Sequence, residues 1–168
     1  MNILFDLDGT LTDPREGIVA CLKHALRGLG RSTPPDSDLE RYIGPPLQES
    51  FALLLGAERQ GEVDAAVQLY RERFSAKGLF ENAVYPGIQA ALAGLQGLGV
   101  VLYVATAKPR VFAERIVEHF GLRPYFRAVY GSELDGTRAE LSAAGATVFC
   151  ERPELLSEVL PFHGRVGI

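Results

Sequence analysis

The stretch that most constrains the fold is GVVLYVATA at residues 99–107. A continuous run of apolar and β-branched residues of this length is typical of a parallel strand that is buried on both faces. Helical patterns flank the run, one from Ile88 to Leu95 and another after Pro109. Shorter strands are predicted at residues 2–6, 125–130 and 146–150. This alternation of strands and helices predicts an α/β fold with a doubly wound parallel sheet.

One long segment, residues 14–82, departs from this alternation. Apolar residues recur in it at helical spacing, from Ile18 to Leu29 and again from Val63 to Phe74, and no strand pattern lies between them. We therefore predict that this segment is an inserted α-helical domain. Residues 1–13 and 83–168 would then form the sheet domain.

Charge and composition argue against several classes of partner. The chain has 17 basic and 21 acidic residues, a net charge of −4 and no basic cluster, so neither nucleic acid nor a membrane is an expected partner. No apolar stretch reaches the roughly 20 residues of a membrane span, and no signal peptide is apparent. The two cysteines form neither a metal-ligand spacing nor a disulfide framework, which favours a cytoplasmic location.

The sequence FDLDGTLTD at residues 5–13 places acidic side chains at the end of the first predicted strand. Ligands of open parallel sheets bind at the carboxyl ends of the strands. Strand alternation puts Asp6 and Asp8 on the same side of the chain and close together. Adjacent carboxylates need a divalent cation, or one of them must be protonated. Phosphoryl transfer through a carboxylate nucleophile uses this arrangement.

A simpler interpretation of the same residues is an Asx-type turn that leaves the strand, with Gly9 as a left-handed residue. A calcium-binding loop does not fit, because the glycine comes too early and the closing glutamate of such a loop is missing. Thr106, Ala107 and Lys108 follow the second strand and are expected at the same edge of the sheet as the aspartates.

These features together resemble one family. DLDGT after the first strand, the helical insert behind it and VATAKP at the end of the second strand resemble the haloacid-dehalogenase superfamily of phosphatases. GPPLQESF at 44–51, YPGI at 85–88 and YGSELDGTRA at 130–139 are similar to its phosphoglycolate-phosphatase-like and 5′-nucleotidase-like branch. The resemblance implies a Rossmann-like core with a helical cap over residues 14–82. It also implies a Mg²⁺-dependent hydrolase of a small phosphorylated metabolite, such as phosphoglycolate or a 5′-nucleotide.

The resemblance also implies roles for individual residues. Asp6 would be the nucleophile that forms an aspartyl-phosphate, and Asp8 would be the general acid and then the general base. Mg²⁺ would lie on the Asp6 carboxylate and the Asp8 backbone carbonyl. The residues that would contact the phosphoryl group are Gly9, Thr10, Thr106, Ala107 and Lys108. The cap turn that would select the substrate consists of Gly44, Pro45 and Pro46.

The family pattern breaks after Arg138. The family has a lysine at or soon after the third strand and an acidic pair after a fourth strand, whereas this chain has only three lysines: Lys23, Lys77 and Lys108. We interpret the Arg138–Glu140 junction as an internal deletion of about one βαβ crossover, on the order of 30 residues. The core is therefore expected to be truncated, with no replacement for the strand beside the first one. Impaired catalysis and weak Mg²⁺ binding should follow.

Three residues could compensate for the missing charges. Lys108 follows Thr106 directly, although a lysine before a proline at a helix start is more often a solvated turn residue. Glu133 and Asp135 follow the third strand and could approach a metal, although ordinary loop acids are the simpler interpretation.

Two other functions compete with a phosphatase. A non-catalytic remnant that binds phosphate or metal without turnover is compatible with the missing charges. A receiver-like domain, which accepts phosphate on an aspartate to signal, is not. Receivers place that aspartate on a later strand and have no long helical insert after the first one.

Overall fold

The structure, a computed structural model, describes residues 1–132 and 149–150. The chain divides into two compact units. The core unit comprises Met1–Thr12 and the described residues from Val84 onward, and the helical unit is Asp13–Ala83. No helix in this part of the chain is long and apolar enough to cross a membrane. Glu133, Asp135 and the Arg138–Glu140 junction lie outside the described residues.

A parallel sheet of four strands forms the centre of the core unit. The strands are β1 (Asn2–Phe5), β4 (Val101–Pro109), β5 (Phe126–Ser132) and β6 (Phe149–Cys150), and their order in the sheet is β5-β4-β1-β6. β1 pairs with β4 from Asn2 opposite Val101 to Phe5 opposite Val104. The sheet confirms the predicted α/β fold.

The strand β6 corrects one expectation. It pairs in parallel with β1 on the side away from β4, with Leu4 opposite Phe149 and Phe5 opposite Cys150. The prediction that the strand beside the first one has no replacement is therefore wrong. An open edge of β1 would leave backbone N–H and C=O groups unpaired, and β6 supplies partners for them. The predicted strand at residues 146–150 is confirmed at its last two residues.

Burial differs between the two central strands. Ile3, Leu4 and Phe5 of β1 are each 1% exposed, so β1 is buried on both faces. In β4, Leu102 and Val104 are buried whereas Val101 is exposed and Tyr103 is half-buried. Alternate side chains of a strand point to opposite faces, so only one face of β4 is fully covered. The prediction of burial on both faces is therefore wrong for β4.

Two helices of the core unit lie where the sequence predicts them. α5 (Ile88–Gly97) buries Ile88, Leu92 and Leu95, which lie on one face of a helix. α6 (Arg110–His119) similarly buries Ala113, Ile116 and Val117. Both helices contact β4, where their apolar faces are removed from water.

The helical unit consists of four α-helices. They are α1 (Arg15–Gly28), α2 (Asp36–Leu39), α3 (Leu47–Leu55) and α4 (Val63–Arg73), and a π-helical turn follows at Phe74–Gly78. No strand lies between residues 14 and 82, all of which the structure describes, as the sequence predicted. Two short strands, β2 (Thr12–Asp13) and β3 (Ala83–Val84), pair as a separate sheet.

Aromatic side chains build the core of the helical unit. Tyr70 stacks on Phe74 with ring centroids 5.4 Å apart, and Phe51 meets Tyr70 edge-on at 6.2 Å. All three side chains are buried. Gly17 of α1 lies so close to the π-helical turn that an added methyl group would overlap the carbonyl oxygens of Gly78 and Glu81. The helices of this unit are therefore packed without spare volume at this point.

Candidate active site

A tight turn follows β1 and holds the first acidic residues. The Gly9 N–H donates to the Thr12 carbonyl at 2.7 Å, and the N–H groups of Leu11 and Thr12 donate to the Leu7 carbonyl at 2.9 and 3.0 Å. Gly9 has φ +80°, which confirms the predicted left-handed residue. The turn fixes the backbone on both sides of Asp8, directly beyond the end of β1.

Asp6 is the first residue after β1. Its carboxylate accepts hydrogen bonds from the Leu7 N–H and from the Thr106 hydroxyl of β4. Burial raises the pKa of Asp6 above its ordinary value, with a further contribution from the nearby charge of Asp8. The two hydrogen bonds and the Lys108 charge act in the opposite direction. A carboxylate, a second carboxylate and an ammonium group therefore meet at one edge of the sheet.

Lys108 forms an ion pair with Asp8. Its Nζ lies 2.9 Å from Asp8 Oδ2, and the Lys108 side chain is only 8% exposed. The interpretation of Lys108 as a solvated turn residue is therefore wrong. The reason is that β4 continues through Lys108 to Pro109 instead of ending at Ala107.

The Asp8 carboxylate has unused capacity. Its Oδ1 atom is buried and accepts no hydrogen bond from any residue that the structure describes. Oxygen atoms of one or two carboxylates, completed by water and phosphate oxygens, are the ligands that Mg²⁺ uses in phosphoryl-transfer sites. Asp6 and Asp8 therefore fit such an ion. Within residues 1–132 and 149–150, no group of three or more His, Cys, Asp or Glu residues could complete a metal site.

Several of the other residues predicted to bind phosphate make hydrogen bonds within the protein. The N–H groups of Gly9 and Thr10 donate within the turn, to Thr12 and Leu7 respectively. The Thr106 hydroxyl also accepts a hydrogen bond from the Lys108 N–H at 3.2 Å. The predicted phosphate contacts of these residues stay predictions.

The cap turn predicted to select substrates lies in the helical unit. Gly44, Pro45 and Pro46 are exposed and immediately precede α3. Gly44 has φ +106°, a conformation that favours glycine. Its role in substrate selection stays a prediction.

Sequence reasoning missed Ser132. Its hydroxyl donates to the Ala107 carbonyl at 2.9 Å and so ties the end of β5 to the end of β4. The signal available was the glycine–serine pair in YGSELDGTRA, since a glycine at a strand end often marks a close approach of two backbones.

Comparison with known proteins places this geometry in a family. A family model described as haloacid dehalogenase-like hydrolase matches residues 3–137, and so ends just before Arg138. A 5′-nucleotidase from Pseudomonas aeruginosa is 53% identical over 137 residues, which are 82% of this chain and 62% of that protein. Tyrosine-protein kinase PtkA from Mycobacterium tuberculosis is 39% identical over 137 residues, 81% of this chain and 46% of that protein.

A more distant relative and a solved structure are also named as phosphatases. A phosphoglycolate phosphatase from Agrobacterium fabrum is 30% identical over 130 residues, 75% of this chain and 56% of that protein. The crystal structure of a predicted phosphatase from Clostridium acetobutylicum superposes with a TM-score of 0.73 at 46% identity, covering 80% of this chain and 62% of that one. This chain thus spans less than two thirds of the length of these relatives. Because the family model covers most of the chain, the chain belongs to the haloacid dehalogenase-like hydrolase family.

Proposed function

We propose that this protein hydrolyses a small phosphomonoester through an aspartyl-phosphate intermediate, in a Mg²⁺-dependent reaction. The observation that carries the proposal is the Lys108–Asp8 ion pair beside Asp6, at the carboxyl ends of β1 and β4. The names of the relatives, 5′-nucleotidase and phosphoglycolate phosphatase, support a small phosphorylated metabolite as the substrate. With its net charge of −4, the chain gives no support for a nucleic-acid partner, and we place it in the cytoplasm.

In this proposal Asp6 and Asp8 carry out the bond changes. An Asp6 carboxylate oxygen attacks phosphorus, the bond from phosphorus to the leaving oxygen breaks, and Asp8 gives that oxygen a proton. The Asp8 carboxylate then takes a proton from a water molecule, whose oxygen attacks the phosphorus of the aspartyl-phosphate and releases Asp6. For the first step Lys108 has to exchange Asp8 Oδ2 for a phosphoryl oxygen.

The same residues would bind the phosphoryl group and the metal. Thr106, Ala107 and Lys108 would hold phosphoryl oxygens, and Gly9 and Thr10 would do so if their N–H groups left the turn. Mg²⁺ would be held by the Asp6 carboxylate and the Asp8 backbone carbonyl, and when bound it would offset the negative charge that the aspartates share with the phosphate. Asp8 Oδ1 is buried and has no described partner, so it would be able to carry the proton that Asp8 gives to the leaving oxygen.

We infer that Gly44, Pro45 and Pro46 form a substrate-selecting turn of a cap domain. Two consecutive prolines fix φ and make the exposed turn stiff. Replacing both prolines by alanine should therefore change relative turnover between a 5′-nucleotide and phosphoglycolate. The same proportional change on every substrate would argue that the turn is only structural.

We further propose that this form of the enzyme is impaired. The family pattern has a lysine and an acidic pair that have no match before residue 138, and the described residues contain no third acidic ligand. Loss of one preorganised charge-stabilising group costs about 10²–10³ in rate. The alternative is a protein that binds phosphate or metal without turnover. Detectable binding of phosphate with no measurable turnover would favour that alternative.

The test compares Asp6→Asn with a matched control. Turnover of an aryl phosphate and binding of beryllium fluoride, a phosphoryl analogue, would both be measured in Mg²⁺. Asp6→Asn should abolish both, because the amide cannot attack phosphorus or accept the analogue. Asp38→Asn, the same change at an exposed acid of α2, should leave both unchanged. Survival of turnover and analogue binding in Asp6→Asn would remove the proposed nucleophile.

A further inference from the structure

The end of β4 leaves the regular ladder where it carries Lys108. Ala105 of β4 lies opposite Tyr130 of β5, and Pro109 lies opposite Ser132. Between these pairs, Thr106, Ala107 and Lys108 on β4 face only Gly131 on β5. This stretch, the 106–108 bulge, therefore contains residues that cannot all pair with β5. Bulges re-aim side chains and bend the strand.

Gly131 allows β5 to approach the bulge closely. A Cβ atom at this position would lie 2.5 Å from the Lys108 carbonyl oxygen and 2.7 Å from the backbone N and Cα of Arg110. These neighbours are backbone atoms, which cannot move aside as the end of a side chain can. The absence of a side chain at Gly131 thus sets the distance between β5 and the backbone on either side of Pro109.

Ser132 holds the bulge by a hydrogen bond. Its hydroxyl donates to the Ala107 carbonyl at 2.9 Å, while the Lys108 N–H donates to the Thr106 hydroxyl at 3.2 Å. One side-chain hydrogen bond thus joins β5 to the bulge, and a second lies within the bulge. The Lys108 side chain leaves this fixed backbone, is 8% exposed and reaches Asp8 Oδ2.

We propose that Gly131 and Ser132 are positioning residues, which shape the 106–108 bulge so that the Lys108 ammonium lies against Asp8. The use of Lys108 on a phosphoryl group rests on the function proposed above, whereas the positioning does not. In this chain, where the family's later lysine has no match before residue 138, the bulge supplies the ammonium group of the site.

The chain offers an activity-independent test, since Lys108 is one of only three lysines. Brief acetylation with limiting acetic anhydride, quantified for each lysine by mass spectrometry, reports how accessible each amine is. Lys108 should react more slowly than exposed Lys77. Ser132→Ala should speed labelling of Lys108 about fivefold, the equivalent of one neutral hydrogen bond. Labelling of Lys77 and Lys23 in the helical unit should not change.

Four variants complete the design. Ser132→Thr keeps a hydroxyl and should restore slow labelling of Lys108. Ser75→Ala removes a similar hydroxyl-to-carbonyl bond, from Ser75 to Glu72 at 3.0 Å, and should leave Lys108 unchanged. Asp8→Asn removes the charge partner and defines the fastest labelling expected. Gly131→Ala should speed labelling of Lys108 at least as much as Ser132→Ala does. This result is interpreted only if the circular dichroism spectrum of the variant matches that of the parent.

The outcomes separate the two proposals. Unchanged Lys108 labelling in Ser132→Ala, with faster labelling in Asp8→Asn, would overturn the positioning role whatever the activity is. A uniform rise at all three lysines would also overturn it, because it would show a general loss of structure. A separate experiment measures whether inorganic phosphate slows the acetylation of Lys108 in the parent protein. If phosphate does not slow it, the proposed phosphate contact is contradicted, and the result on positioning is unaffected.

Discussion

Two carboxylate–cation pairs, one in each unit, differ in how completely they are satisfied. In the helical unit, Arg73 donates hydrogen bonds to both carboxylate oxygens of Glu81, at 2.6 and 2.8 Å, and also to the Cys21 sulfur at 3.2 Å. In the core unit, Lys108 contacts one oxygen of Asp8, and the other is buried with no described partner. Hydrogen bonding to Glu81 raises the pKa of Arg73 above its ordinary value, so the guanidinium stays charged.

The difference separates a structural pair from one suited to binding. A bidentate pair with every oxygen satisfied adds rigidity and has nothing left to offer a ligand. A monodentate pair beside a second carboxylate keeps an unsatisfied buried oxygen, which is costly unless something binds there. The comparison predicts that breaking the two pairs will have different consequences.

The largest effect is expected from Lys108→Met. It should lower phosphatase turnover of an aryl phosphate by about 10²–10³, the usual cost of one charge-stabilising group. Arg73→Met, which also removes a cation from a partly buried carboxylate, should leave turnover per folded molecule unchanged. Equal losses of turnover in both variants would show that the two pairs do not differ in kind.

The next effect concerns stability. Glu81→Gln should lower the free energy of unfolding by about 2 kcal/mol, less than a fully buried pair would lose because both side chains are partly exposed. The measurement is urea denaturation at neutral pH. Glu114→Gln, the same change in the exposed Arg110–Glu114 pair, should cost less than about 0.5 kcal/mol. Similar losses for both would mean that bidentate geometry adds nothing here.

Ser50 tests whether an unsatisfied polar atom is enough to indicate function. Its side chain is fully buried in the helical unit, and its hydroxyl has no described partner. Ser50→Ala should raise the unfolding free energy by about 1 kcal/mol, because it removes an unpaired buried hydroxyl. Ser37→Ala in α2, at an exposed position, measures the helix-propensity part of that gain. A loss of stability in Ser50→Ala would reveal a hidden hydrogen-bond partner.

The smallest effect is expected at the exposed Arg15–Asp13 pair. Hydrogen bonds from the Arg15 guanidinium hold the pKa of Asp13 below its ordinary value. The pair therefore stabilises the fold above the unfolded pKa of about 3.9, and this contribution is lost as the pH falls through the lower folded value. Asp13→Asn should cost less than about 1 kcal/mol at neutral pH. The unfolding curve of Asp13→Asn should show lower stability than the parent at neutral pH and converge with the parent in acid, and a gap that persists in acid would contradict the linkage.

Much of the core followed from residue patterns. The carboxyl ends of parallel strands meet at one edge, which is why Asp6, Asp8 and Thr106 could be brought together from sequence. The helices of residues 14–82 followed from a 3.6-residue apolar period. Lys108 was expected at the same edge, but its burial could not be predicted, because it depends on β4 running past Ala107 and on the bulge opposite Gly131. The β6 pairing with β1 is a tertiary contact between distant segments, for which no local pattern exists.

The pairing of β1 with β4 also has a consequence for how the chain reaches its native state. Asn2 must find Val101, and the whole helical unit lies in the intervening loop. Closing a long flexible loop costs conformational entropy that grows with its length. The helical unit is continuous in sequence and rich in local contacts, so we expect it to form first. During synthesis β1 emerges before β4 and stays without this partner until β4 has been made, which leaves β1 open to incorrect pairing in the meantime.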